Sequence, residues 1–127
     1  MRDAQPLGLS EFRSESPSTA LALPKNKKIT LSVVSGPSKG RMVEISTPRI
    51  SVGRVGGGAD IQLEDPSLSD LHCALGVTAD EIRLCDLESA TGTYLNEKRV
   101  ESIEVEHMSE FRVGSSHLLL IVVPKPQ

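Results

Sequence analysis

His72-Cys73-Ala74-Leu75-Gly76-Val77-Thr78 is followed, after Ala79-Asp80, by Glu81-Ile82-Arg83-Leu84-Cys85-Asp86, and the reading of this stretch decides the fold. In an extended chain successive side chains alternate between faces, so Cys73, Leu75 and Val77 share one face of the first arm. Ile82 and Leu84 share a face of the second, which turns Cys85 to the other side. Two alternating runs joined by a short polar turn predict a β-hairpin. The two thiols then project to opposite faces, so no bridge between Cys73 and Cys85 is expected. Two cysteines do not make a disulfide framework in a chain of 127 residues either.

The same short β-rich pattern continues in both directions. Toward the N-terminus, strands are predicted at Ile29–Ser35, Met42–Ser46, Ile50–Arg54 and Asp60–Leu63, separated by Gly36-Pro37-Ser38-Lys39-Gly40, Thr47-Pro48 and the run Gly56-Gly57-Gly58. A polar loop runs from Glu64 to Leu71. Toward the C-terminus the strands are Thr93–Leu95, Lys98–Val100, Ile103–Val105, Glu110–Val113 and His117–Val123, with Gly114-Ser115-Ser116 as the turn before the last. No window of ten or more residues keeps a helical period. With no Trp, one Tyr and two Phe, the core has to come from Val, Ile and Leu, which suits pleated strands. Tyr94, Phe111 and the Leu118–Val123 run are expected inside it. The expected fold class is all-β, a β-sandwich of ten or eleven strands.

Residues 1–27 hold Pro6, Pro17 and Pro24, several serines and no sustained period, and are read as a flexible N-terminal tail, with the domain at 28–127. A net charge of −3 argues against attraction to nucleic acid or to an anionic membrane. No charged-then-apolar leader opens the sequence, and the apolar run from Leu118 to Val123 is too short to cross a bilayer. A reducing cytoplasm is the expected location.

Several chemistries lack their residues. Gly53-Arg54-Val55-Gly56-Gly57-Gly58 does not fit dinucleotide spacing and no helix follows it. Gly36-Pro37-Ser38-Lys39-Gly40 lacks the Gly-Lys-Ser/Thr ending of a phosphate-binding loop. His72 and Cys73 are strand neighbours aimed at opposite faces, and His107 and His117 stand alone, so no metal site or cofactor is expected. No arrangement for nucleophilic or acid–base catalysis is visible, and the expectation is a binding protein, not an enzyme.

Three segments carry the remaining information, each placing a polar group in a loop at a strand end. They are Gly53-Arg54, Ser69-Asp70-Leu71-His72, and Asp86-Leu87-Glu88-Ser89-Ala90-Thr91-Gly92-Thr93-Tyr94-Leu95-Asn96. In order and spacing they resemble the forkhead-associated (FHA) domain, which shows Gly-Arg, then Ser-x-x-His, then Asp-Leu-x-Ser-x-Asn-Gly-Thr-x-Val/Leu-Asn-Gly. The resemblance spans residues 29–123. It implies an eleven-stranded, antiparallel-rich β-sandwich whose loops at one end bind phosphothreonine peptides, and hence a signalling adaptor; no exposed apolar stripe demands a dimer, so a monomer is the expectation. Carried over by position, Arg54 is the main phosphate ligand, Ser69 hydrogen-bonds a phosphate oxygen and Thr91 takes the place of the asparagine that grips the peptide backbone. His72 and Ser89 brace the loops, together with Gly53 and with Gly92, where a positive φ or a close backbone approach is expected.

The chemistry of those residues agrees with the resemblance. A phosphothreonine brings close to two negative charges and three acceptor oxygens. A guanidinium meets them with forked, charge-assisted hydrogen bonds, and a short hydroxyl completes the set. The loop from Val55 to Ala59 is expected to add exposed backbone amides as an anion nest. Three positions depart from the family pattern. Thr91 offers one donor where asparagine offers an amide, a difference of about 1 kcal/mol. Asp70 puts a carboxylate beside the expected phosphate: either it turns outward and selects basic residues in the peptide, or it pairs with Arg54 and fills the site. Asn96-Glu97 stands where Asn-Gly serves a tight hairpin. Thr91 and Asp70 together leave a second reading open, a phosphate-independent interaction or assembly module. The tail supplies a candidate partner of its own, since Thr19 could serve as a tethered phosphorylated ligand.

Overall fold

Alternating apolar positions are the reason the chain forms paired strands, and the structure, a computed structural model, describes residues 20–126. These contain eleven strands and no helix: β1 (Lys27–Ser35), β2 (Met42–Glu44), β3 (Arg49–Arg54), β4 (Ile61–Leu63), β5 (Cys73–Val77), β6 (Ile82–Asp86), β7 (Thr93–Leu95), β8 (Lys98–Val100), β9 (Ser102–Val105), β10 (Glu110–Val113) and β11 (Ser116–Pro124). A six-stranded sheet in the order β2-β1-β11-β10-β7-β8 faces a five-stranded sheet in the order β4-β3-β5-β6-β9. Pairing is antiparallel except between β3 and β4, which run parallel. This is the predicted all-β sandwich.

The central β5–β6 hairpin forms with Leu75 opposite Leu84 and Val77 opposite Ile82. Its arms are shorter than predicted because Thr78 and Glu81 close the turn: the Thr78 N–H donates to the Glu81 carbonyl, and the Thr78 hydroxyl oxygen accepts from the Asp80 and Glu81 amides. Both cysteines are buried and free. Cys73 pairs with Asp86, whereas Cys85 pairs with Ala74, which puts the thiols on opposite faces. Burial, and then the nearby Asp86 carboxylate, push the Cys73 thiol above the ordinary thiol range, so it is inert.

Between the sheets, Ile29, Leu31 and Val33 of β1 meet Val52, Leu75, Leu84, Phe111, Leu118 and Leu120 in one apolar cluster. Each such side chain, fully buried, contributes about 1.5–3 kcal/mol. Two expectations about the core change. Tyr94 is half-buried, on the outer face of its sheet, with the Arg112 guanidinium 4.2 Å from its ring centre. Leu119 and Ile121 alternate outward from Leu118 and Leu120 and are only half-buried, because β11 has one face on the core and one on the outside.

The ordered contacts begin earlier than Lys28. Leu21 bridges to Thr78, the Ala22 N–H donates 2.9 Å to the Val77 carbonyl, and Leu23 packs on the core. Leu21 and Leu23 flank a single alanine, an alternation too short to stand out among the prolines. Thr19 lies outside the described residues. Leu21, two positions on, is held at the end of β5 opposite His72.

Candidate functional site

The two sheets end together in three loops, and backbone hydrogen bonds clamp these loops to one another. At the end of β3 the Arg54 N–H donates to the Ser69 carbonyl at 3.0 Å, and His72 N–H donates to the Val52 carbonyl at 2.8 Å. The Leu87 N–H, on the β6–β7 loop, donates to the His72 carbonyl at 2.9 Å. Gly53 is required at this junction, since a Cβ there would lie 1.8 Å from the Asp70 carbonyl oxygen. The β4–β5 loop therefore lies directly on the backbone of β3.

Side chains complete the clamp. The imidazole of His72, fully buried, accepts from the Ser69 N–H at Nδ1 (3.1 Å) and lies 2.8 Å from the Gly92 carbonyl at Nε2. An acceptor at Nδ1 and a carbonyl at Nε2 fix the Nε2–H tautomer. In the next loop Asp86 accepts from the Ser89 amide and hydroxyl and from the Thr93 hydroxyl, while the Ser89 oxygen accepts from the Gly92 N–H at 2.9 Å. Gly92 has φ +92° and the Arg99 side chain lies against it, 2.8 Å from where a Cβ would stand.

On the rim carried by this frame, Arg54, Ser69, Asp70 and Thr91 come together. The Ser69 hydroxyl oxygen accepts from the Ala90 N–H at 2.9 Å and joins two of the loops, leaving its own proton to give. Arg54 reaches the Asp70 Oδ1 through one nitrogen at 2.8 Å, and the two side chains stay 46% and 59% exposed. One contact at that exposure leaves much of the guanidinium fork open. The Thr91 hydroxyl donates weakly to the Ser67 carbonyl at 3.4 Å.

The expected anion nest does not form from the first amides of the β3–β4 turn. Val55 N–H donates to the Leu63 carbonyl, Gly56 N–H to the Gln62 side chain and Gly57 N–H to the Arg54 carbonyl. Parallel pairing of β3 with β4 is the cause, because the connecting turn must fold back on itself and spends its donors doing so. Asn96 and Glu97 occupy the left-handed region, with φ +51° and +65°, so the β7–β8 hairpin keeps the two-residue turn geometry without its glycine.

Asp65 was missed by the sequence reading and anchors the whole β4–β5 loop. Its buried carboxylate accepts five hydrogen bonds: from the Ser67 amide and hydroxyl, the Ser115 amide and hydroxyl, and the Ser116 hydroxyl. Burial by itself raises the carboxyl pKa, but the bonds from Ser67, Ser116 and Ser115 together outweigh it and lower the group to about 2. Asp65-Pro66-Ser67 is a turn signature that pointed to the local bonds. Nothing in the sequence pointed to Ser115 and Ser116. A groove of about 650 Å³ opens at the far end of the sandwich, among Lys27, Val77, Glu81, Val105 and Val122, and the motif residues line none of it. Among the described residues no group of His, Cys, Asp and Glu is placed to hold a metal ion, and no helix is long and apolar enough to cross a membrane.

The family model described as the inner membrane component of T3SS, cytoplasmic domain, matches residues 32–123. The glycogen accumulation regulator GarA of Mycolicibacterium smegmatis is 30% identical over 95 residues, which are 75% of this chain and 60% of that protein. The chain thus spans less than two thirds of the regulator's length. An FHA domain solved for a structural and functional analysis of phosphothreonine-dependent FHA domain interactions superposes with a TM-score of 0.69 at 26% identity, over 77% of this chain and 99% of its own. The FHA domain of FhaA, complexed with the intracellular domain of another protein, gives a TM-score of 0.65 at 26% identity, over 72% of this chain and 98% of its own.

Proposed function

The chain belongs to the forkhead-associated domain family, and from that premise we propose that its loop rim binds a phosphothreonine-bearing segment of a partner protein, as a non-catalytic adaptor in a reducing cytoplasm. The observation that carries this reading is the meeting of Arg54 and Ser69, joined by a backbone hydrogen bond at one end of the sandwich. Arg54 presents a guanidinium that is nearly half exposed, and Ser69 a hydroxyl whose oxygen is held by Ala90 while its proton is free to donate. Arg54 forks onto two phosphate oxygens and Ser69 gives its proton to the third. Thr91, beside them, is the group that contacts the peptide backbone. His72, Ser89, Gly53 and Gly92 hold the loops so that no ordering is left for the moment of binding. The FHA domain from the phosphothreonine study and the FhaA complex, both similar in structure, support the same reading.

Partners in trans are favoured over the chain's own Thr19. Leu21 is bridged to Thr78, and from there to His72 the strand runs about 20 Å, whereas two residues of extended chain reach about 7 Å. Capture of Thr19 by its own domain therefore requires the Leu21–Thr78 bridge to open.

Titration of a phosphothreonine peptide library, read by fluorescence anisotropy beside phosphoserine and unphosphorylated forms, tests the proposal. Arg54→Ala is expected to weaken phosphothreonine binding about 30-fold or more, the loss of charge-assisted bonds worth roughly 2–3 kcal/mol. Equal affinity for all three peptide forms overturns it. The second reading, a phosphate-independent assembly module, is favoured by the Arg54–Asp70 contact and by threonine at position 91. On that reading partner binding is unchanged in Arg54→Ala.

A further inference from the structure

The rim gives its guanidinium a carboxylate before any ligand arrives. We propose that Asp70 is a displaceable counter-ion of Arg54 whose release makes this site select a phosphothreonine flanked by a basic side chain; the inference rests on the phosphothreonine reading above.

The first step is displacement. Asp70 holds Arg54 through one nitrogen, and both side chains are about half exposed. An exposed pair of this kind shifts an equilibrium by no more than about fivefold. A phosphate dianion, with three acceptors and nearly twice the charge, engages both nitrogens of the fork and takes the arginine from a single carboxylate oxygen.

The second step is what Asp70 does when released. Its main chain is held against β3 by the bonds on either side of it, Arg54 N–H to the Ser69 carbonyl and His72 N–H to the Val52 carbonyl. The Asp70 carbonyl lies against Gly53, and its Cα, Cβ and Cγ lie against Gly57, where an added Cβ would come within 2.6–2.7 Å of all three. The exposed side chain turns while the backbone is held, so the carboxylate stays on the rim beside the bound dianion. Among the described residues Arg54 is the group it pairs with, and Arg54 is then occupied. Like charges a few ångströms apart repel unless a cation stands between them or beside them. A lysine or arginine of the peptide next to the phosphothreonine supplies that cation. An acidic neighbour is rejected by the same carboxylate, so one residue supplies both attraction and exclusion. The glycines at 53 and 57 thus have a consequence beyond close packing, since they fix a negative charge at the mouth of an anion site.

The test uses the full chain and three phosphothreonine peptides identical except for lysine, alanine or glutamate at the two flanking positions, each beside its unphosphorylated form. The wild type is expected to bind the lysine-flanked peptide about tenfold more tightly than the glutamate-flanked one at low salt. In Asp70→Asn that ratio is expected to fall to about twofold, while the alanine-flanked peptide binds about threefold more tightly than to the wild type. A wild-type ratio near one, or a ratio that survives in Asp70→Asn, overturns the inference and leaves the phosphothreonine reading standing. Binding that ignores phosphorylation in every peptide overturns both.

Discussion

Asp65 and Asp70 stand in the same loop between β4 and β5, yet Asp65 is buried and holds five hydrogen bonds, while Asp70 is mostly exposed and touches one guanidinium. The difference is one of position. Near its start the loop tucks the Asp65 carboxylate under the β10–β11 turn, where Ser115 and Ser116, with Ser67 of the loop itself, offer donors. Toward its end it climbs back over Gly53 and Gly57 to the rim, where solvent competes for every contact. The loop is anchored at its root and open to solvent at its tip, and the two carboxylates mark that division.

Removing each carboxylate in turn tests that division most severely. Asp65→Ala is expected to cost about 2–3 kcal/mol in urea denaturation, because the buried Ser116 hydroxyl loses its charged acceptor and the Ser67 and Ser115 donors lose the bonds that tie the loop to the β10–β11 turn. A cost below about 1 kcal/mol would break the comparison.

Acid sharpens it next. The folded-state pKa of Asp65 is about 2 against an ordinary 3.8. A group depressed on folding contributes stability that is fully present above its unfolded pKa and is lost as pH falls through the folded one. The gap in unfolding free energy between wild type and Asp65→Asn is therefore expected to narrow by roughly 2 kcal/mol as pH falls from about 5 to about 2. Chemical denaturation across that range measures it, and a gap independent of pH would count against the buried network. The smallest effect belongs to the rim. Asp70→Asn is expected to change stability by less than about 0.5 kcal/mol, since an exposed pair contributes little, while the same change is expected to alter peptide preference.

Much of this was legible in residue order. The alternation of Cys73, Leu75 and Val77 with the small Ala74 and Gly76 was enough to place the central hairpin. Gly53-Arg54, Ser69-x-x-His72 and the Asp86–Asn96 segment marked the loops that carry the rim. Other features were not legible, each for a stated reason. Tyr94 sits on the outer face because β7 has one side on the core, a fact set by its neighbours β10 and β8. The amides of Val55, Gly56 and Gly57 are spent because β3 pairs parallel with β4, and the glycine run does not announce that direction. Leu21 and Leu23 join the fold through Thr78 and the core, contacts too few to leave a period.

What the amino-acid order determined alone is the local part: which residues alternate, where strands stop, and which polar groups fall at strand ends. Those properties depend on neighbours one to four positions away, so they can be read along the chain. Whether a carboxylate becomes a buried anchor or a loose counter-ion was decided only when the sandwich closed and brought Ser115 and Ser116 to Asp65, and Gly53 and Gly57 under Asp70. Both residues are aspartates in one loop. Their different roles come from the donors and the solvent that the folded chain puts around each.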